Sequence, residues 1–260
     1  MTQFSFGAVI VRAFNMIGRS FASVGVLIIG AQAIMAAIQF AFIRPIMIGA
    51  MSGQPSALAL FTSPTYWLAI AASLFVFSAL FAGATHGFLL VGEGKQAEFG
   101  DCLRVALMKA FPVLGLTILW SLGVWLGMIL FLIPGLILMT MWSVCIPALV
   151  SGETGVFGSF GRSRDLTKGA RLKIFALLLL VLVAYYAMVS LLLGSVIGPA
   201  GPVNISGAMA ATMTPGALAG SLITGTVFMF LLPALMAAIY IEAVSVRFGT
   251  RDSTVAEVFA

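Results

Sequence analysis

Long apolar runs without a single charge divide this chain, and one of them, residues 110–152, carries no charged side chain anywhere along its length. Water cannot solvate such a segment on any face. A helix needs about 20 apolar residues to cross the hydrocarbon of a bilayer, and several runs reach that length. The whole chain is 62% hydrophobic and 8% charged, with mean hydropathy +1.17. A soluble domain carries about 25% charged residues, so this one cannot cover its surface with polar groups. Membrane strands alternate apolar and polar residues over about ten positions, and the continuous runs exclude them. The expected fold class is an all-α integral membrane protein. It has six transmembrane helices in three hairpins, each hairpin preceded by a cytoplasmic interfacial amphipathic helix.

The basic residues assign the sides. Twelve of the thirteen Lys and Arg residues fall in alternate gaps between the apolar runs, and only Arg44 is left for the opposite side. Cytoplasmic loops retain Lys and Arg. Both termini are therefore expected in the cytoplasm, with the chain in a bacterial inner membrane. The spans are expected at about 20–43, 65–92, 110–132, 135–152, 174–197 and 217–241, within one domain over 1–260. The run 110–152 is too long for one helix. Ile133-Pro134-Gly135 lies near its middle, where Pro removes a backbone donor and Gly permits a turn, and the run is divided there. The apolar run from Phe21 continues to Ile43, longer than the core of a signal peptide, and reads as the first span.

The isoelectric point near 9.6 follows from this charge bias. No aromatic-and-basic RNA motif accompanies it, so anionic lipid headgroups are the expected partners and nucleic acid is not. A protein partner or a second copy of the chain is the other expected contact. Cys102 and Cys145 are placed in a cytoplasmic helix and in a span, and a disulfide between them is not expected. No metal spacing occurs, and no cofactor is expected.

The cytoplasmic segments are amphipathic. Phe6, Ile10, Ala13, Phe14 and Ile17 share one helical face, away from Arg12, Asn15 and Arg19. Phe99, Leu103, Ala106, Leu107 and Ala110 share another, away from Glu98, Asp101 and Lys109. Phe157, Phe160 and Leu166 are apolar anchors beside Arg162, Arg164 and Lys168. Such segments suit the headgroup plane, or are solvated basic linkers. They also suggest an internal repeat. Phe6-Gly7, Phe99-Gly100 and Phe157-Gly158 each open such a segment, and Glu93, Glu153 and Glu242 each end an even-numbered span. A shared unit would give approximate three-fold pseudosymmetry.

Glu153, Arg162-Ser163 and Leu166-Thr167-Lys168-Gly169, after Ile133-Pro134-Gly135 and before a Leu-rich span, resemble the membrane-domain family found fused to some bacterial glycerophosphodiester phosphodiesterases. The resemblance covers roughly residues 133–180 in detail and the rest in layout. It implies the membrane module alone, without the catalytic barrel, since the chain has one His and no room for that domain.

Several residues are candidates for function. Arg162 and Arg164 can grip phosphate with two parallel bonds, and Lys168, Arg171 and Lys173 add point charge. Alternatively the cluster sets topology and attracts anionic lipid generally. His86 lies inside the second span, where ionisable groups are costly and often functional. A contact with Glu242 would suit proton transfer; a hydrogen bond to a neighbouring helix is the plainer role. Asp165 is placed to pair with Arg162 or Lys168. Gln32 and Gln39 share a face of the first span, for packing or for a polar path. Gly123 and Gly127 allow close helix approach in the third span, and Leu177 to Val183 suit lipid. No catalytic triad, zinc motif or phosphate loop is present. The expected function is non-enzymatic: an inner-membrane protein that binds lipid or a protein partner in envelope or lipid homeostasis. A transporter of a small or lipid-like solute through Gln32, Gln39 and His86 is the alternative. A lipid-modifying enzyme using Arg162 and Glu153 is the third reading.

Overall fold

A computed structural model describes residues 4–45, 62–152, 154–197 and 215–248. Among these residues the fold is helical throughout, without strands. The helices are α1 (Phe6–Ile38), α2 (Pro64–Gly92), α3 (Phe99–Leu130), α4 (Leu132–Met141), α5 (Cys145–Val150), α6 (Val156–Leu166), α7 (Arg171–Ile197) and α8 (Pro215–Phe248). A π-helical segment, Gln39–Ile43, continues α1. Six helices are long and apolar enough to cross a membrane, counting α1 with its continuation as one and α4 with α5 as another.

Two boundaries differ from the sequence expectation. The amphipathic segments that begin at Phe6 and Phe99 are not separate helices; they are the opening turns of α1 and α3. From Phe6 to Ile38 the chain has no Pro, and α3 runs through Pro112 without a break. At the other end, α8 continues past Glu242 to Phe248, where a tail was expected.

Proline explains both interruptions in the run 110–152. A proline ring clashes with the carbonyl four residues earlier and removes an N–H. Pro134 stands four residues after Leu130, the last residue of α3, and Phe131 turns extended between the helices. Pro147 stands four residues after Ser143, inside the turn that separates α4 from α5. The first interruption matches the expected division. The second, at residues 142–144, splits the fourth span itself and was legible only in Pro147.

The core sits where α2 and α8 meet α1 and α3. The second half of α2 is buried all round, with Phe81, Ala82, Ala84, Thr85 and Phe88 nearly inaccessible, and so is the stretch Ala234 to Ile239 of α8. Small residues make this possible. A Cβ on Gly83 would lie 2.7 Å from the Cys102 carbonyl oxygen and 2.9 Å from Ala106 Cβ of α3, and 2.7 Å from Leu27 of α1. In the same way Gly123 faces the Trp142 ring, and Gly127 lies against Gly135. Hydroxyls inside the helices bond to carbonyls of their own helix, as Ser20 does to Met16 at 2.6 Å and Ser78 to Leu74 at 2.8 Å. In lipid those groups have no water to turn to.

The Phe and Leu members of the expected apolar faces in α1 and α3 are exposed, and the Ala members are packed. In α1 the packed residues are Val9, Ala13, Met16 and Ser20, whereas Phe6 and Phe14 are exposed. In α3 they are Cys102, Ala106, Ala110 and Val113, whereas Leu103 and Leu107 are exposed. The larger apolar side chains face outward because the small ones allow the helices to approach. Leu179, Leu180 and Val183 of α7 are exposed as expected for lipid, but Leu177 is buried.

Gly83→Ala should destabilise the protein by about 1–3 kcal/mol, because the added methyl meets main chain rather than a movable side-chain end. Gly100→Ala, where nothing lies within 4 Å, should be neutral or slightly stabilising. Thermal unfolding of both variants in the same detergent tests this; equal melting temperatures would contradict the packing.

Candidate functional site

Residues 4–19, 86–95, 151–173 and 240–248, which carry most of the basic side chains, meet at one end of the molecule. The positioning element is α6. Its last turn carries Arg164, where positive charge complements the carbonyl end of the helix. Its inward face is made of hydroxyls: Ser159, Ser163 and the adjoining Thr167 are fully buried, with Leu166. Ser163 Oγ donates to the Met141 carbonyl at 2.8 Å and accepts from the Val144 N–H at 3.3 Å. Thr167 Oγ1 also reaches the Met141 carbonyl, at 3.3 Å. These are the backbone groups that the break between α4 and α5 leaves without helical partners. Two residues of the motif Arg162-Ser163 and Leu166-Thr167 therefore fasten α6 to the broken span. The expected apolar anchors divide: Phe157 is exposed, Leu166 is buried, and Phe160 packs edge-on against Trp142 at 4.9 Å between ring centroids.

Fixed in this way, α6 presents Arg162 to a cleft of about 870 Å³. His86, Glu93 and Lys95 line it from the end of α2, Ser151 from the end of α5, and Tyr240, Ser245 and Phe248 from α8. Its apolar wall includes Leu89, Leu90, Val150, Ile241 and Val244. The Arg162 guanidinium lies over the Phe248 ring, 4.8 Å from its centroid, a placement that restrains the planar fork. Tyr240 and Ser151 share a hydrogen bond of 3.3 Å across the cleft. Lys95 pairs with Glu93 at 2.8 Å, and both are exposed. The cleft joins cationic donors, one carboxylate and an apolar wall.

His86 and Glu242 do not form the contact considered from the sequence. Glu242 is buried and turned to α1, with Oε2 at 3.2 Å from Arg12 Nη1 and Oε1 accepting from the Ser5 N–H at 3.4 Å. Nearby, Lys173 Nζ donates to the Phe4 carbonyl at 2.8 Å. The main-chain carbonyl of Asp165 accepts from the Arg247 side chain and from the Lys168 N–H. Arg171 keeps its Nε buried without a hydrogen-bond partner among the described residues.

The expected carboxylates occupy different settings. Glu93 is an exposed cap at the end of α2, and Glu242 is a buried partner of Arg12 inside α8. Glu153 lies outside the described residues. Gln32 approaches Gly225 of α8, whereas Gln39 is exposed in the π-helical segment away from the basic end.

Comparison with family models, curated proteins and solved structures finds no match to this chain. The assignment of function therefore stands on geometry and chemistry.

Sequence reasoning missed Lys95, Tyr240 and Phe248 as neighbours of Arg162, and Arg12 as the partner of Glu242. Only the helix packing brings them together. Ser163 was quoted for its place in a motif, and the signal of its role was Pro147, which orphans the groups it bonds. Ser163→Ala should lower stability by about 1–3 kcal/mol, since it leaves a buried N–H without a partner and a buried carbonyl with one donor fewer. Hydrogen exchange at Val144 reads the effect directly; protection equal to that of the unaltered protein would show that the clamp does not bear on the break.

Proposed function

We propose that this chain is a non-catalytic, multi-span module of a bacterial-type inner membrane that binds lipid at its basic end and serves envelope or lipid homeostasis. The observation that carries the proposal is the cleft around Arg162. It sets a guanidinium, an ammonium and hydroxyls beside a continuous apolar wall, and a phospholipid presents the same sequence of phosphate, glycerol and chain. The spans pair as three hairpins in this reading. The basic end faces the cytoplasm, where anionic leaflets attract Lys and Arg by about 1 kcal/mol for each residue near the surface. The opening turns of α1 and α3, together with α6, then lie at headgroup depth. The resemblance of residues 133–180 to the membrane domain associated with glycerophosphodiester phosphodiesterases belongs to the same proposal.

The transport reading asks for a polar path through Gln32, Gln39 and His86. What favours the module is the packing between them. The stretches of α2 and α8 around Ala84 and Ala238 are buried, and Gln39 sits exposed at the far end.

Arg162→Lys keeps the charge and loses the two-pronged contact. It should weaken retention of one class of anionic phospholipid in native mass spectrometry by roughly tenfold, while insertion is unchanged. Wild-type retention would reduce Arg162 to a topology signal. Orientation has its own check. Single cysteines placed at Lys95 and Lys168 should react with an impermeant reagent only from the cytoplasmic face, and one at Asn204 only from outside; labelling of the Lys168 position from outside would reverse the assignment.

A further inference from the structure

A second concavity lies on another part of the basic end, between the α6–α7 turn and the last turns of α8. It measures about 440 Å³ and includes Phe4, Leu166, Lys168, Gly169, Lys173 and Arg247 in its lining. No carboxylate lines it among the described residues. Glu242, next to the lining residue Ala243, turns its carboxylate away to Arg12 and the Ser5 N–H.

Two of the three cations are oriented by neutral acceptors. Lys173 donates to the Phe4 carbonyl and Arg247 to the Asp165 carbonyl. A carbonyl fixes the direction of a cation without cancelling its charge, as a carboxylate would. The backbone adds to the same field. The first turn of α7 has no acidic residue and contains Arg171 and Lys173, although the positive end of a helix dipole disfavours cations. Ile174 donates the N–H that bonds back to Ala170, so the N–H groups of α7 before it are the ones a helix start leaves free of helical bonds. Gly169, with φ +90°, makes the turn that sets Lys168 and Lys173 around one opening.

From these features we propose that Lys168, Lys173 and Arg247 form an anion site distinct from the Arg162 cleft, suited to a phosphate monoester. Three cations without an ion pair among the described residues, at a helix start, match a doubly charged group better than the single charge of a phosphodiester. Phe4 and Leu166 give the site an apolar floor. The ligand is a lipid whose headgroup is a terminal phosphate, or the same group on a free molecule. The site does not depend on the Arg162 reading, because it uses other residues and another opening.

The test uses the full-length protein in phosphatidylcholine nanodiscs doped with phosphatidic acid or, separately, with phosphatidylglycerol. Lipid retention is measured by native mass spectrometry and folding by thermal melt. Phosphatidic acid should be retained more strongly than phosphatidylglycerol. Lys168→Gln and Arg247→Gln should each weaken its retention by roughly tenfold. Arg104→Gln, which removes a charge outside the concavity, should change it by less than about twofold. Lys168→Gln and Arg247→Gln should abolish the preference for phosphatidic acid over phosphatidylglycerol, whereas Arg162→Lys should keep that preference even where it lowers total retention, which separates failure of this site from failure of the cleft. Added inorganic phosphate gives the source: competition supports a site open to free phosphate, and no competition supports one that reads the headgroup in place. Equal losses for Arg104→Gln and Lys168→Gln, or equal retention of the two lipids, would overturn the proposal.

Discussion

A backbone surrounded by apolar side chains and lipid must find every hydrogen-bond partner within itself, and the break in the fourth span is where this requirement is hardest to meet. Pro147 interrupts the helix beside Ser143. Val144 then needs an acceptor, and the Met141 carbonyl needs a donor. Both find one hydroxyl, that of Ser163, with Thr167 sharing the carbonyl. A polar group buried without a partner costs more than an ordinary hydrogen bond yields. The break and the docking of α6 are therefore one structural solution. The position of Arg162 follows, because it is next to Ser163 in the chain.

The second condition is close approach. Glycine and alanine let the helices approach, and large side chains such as Phe88, Leu80, Ile28 and Ile239 fill the space between them. Between helices in a membrane the drive to bury apolar surface is weak, since lipid tails are as apolar as leucine, and packing must supply the association. Gly83 and Gly87 of α2 meet α1 and α3 at distances that leave no space for a methyl group. The resulting core is closed, and its polar features are displaced to the basic end. Among the concavities that open there, one has mixed charge around Arg162 and one has cations alone around Lys168.

Legibility in the sequence varied with the type of information needed. The six long apolar helices were readable because length and charge are local properties. The end of α3 near Pro134 was readable from Pro134 itself, whereas α3 starts at Phe99, where a separate interfacial helix was expected. The packed faces were not readable: Val9, Met16 and Cys102 carried no signal, whereas Phe6, Phe14 and Leu107, placed from the sequence on apolar faces suited to the headgroup plane, are exposed. The site was half legible. Arg162 and His86 were singled out separately, by charge density and by membrane depth, and they line one cleft. Tyr240, Phe248 and Lys95 joined them through packing alone. Glu242 was noticed as a scarce acid, but its partner lies 230 residues away, beyond any pattern of spacing.

That separation bears on how the molecule is made. Arg12 and the Phe4 carbonyl leave the ribosome with the first helix. Their partners, Glu242 and Lys173, follow 230 and 169 residues later. Until α8 is made, the cation of the first helix has no counter-ion from the last. The ion pair forms only when the start of α1 and the end of α8 lie on the same side.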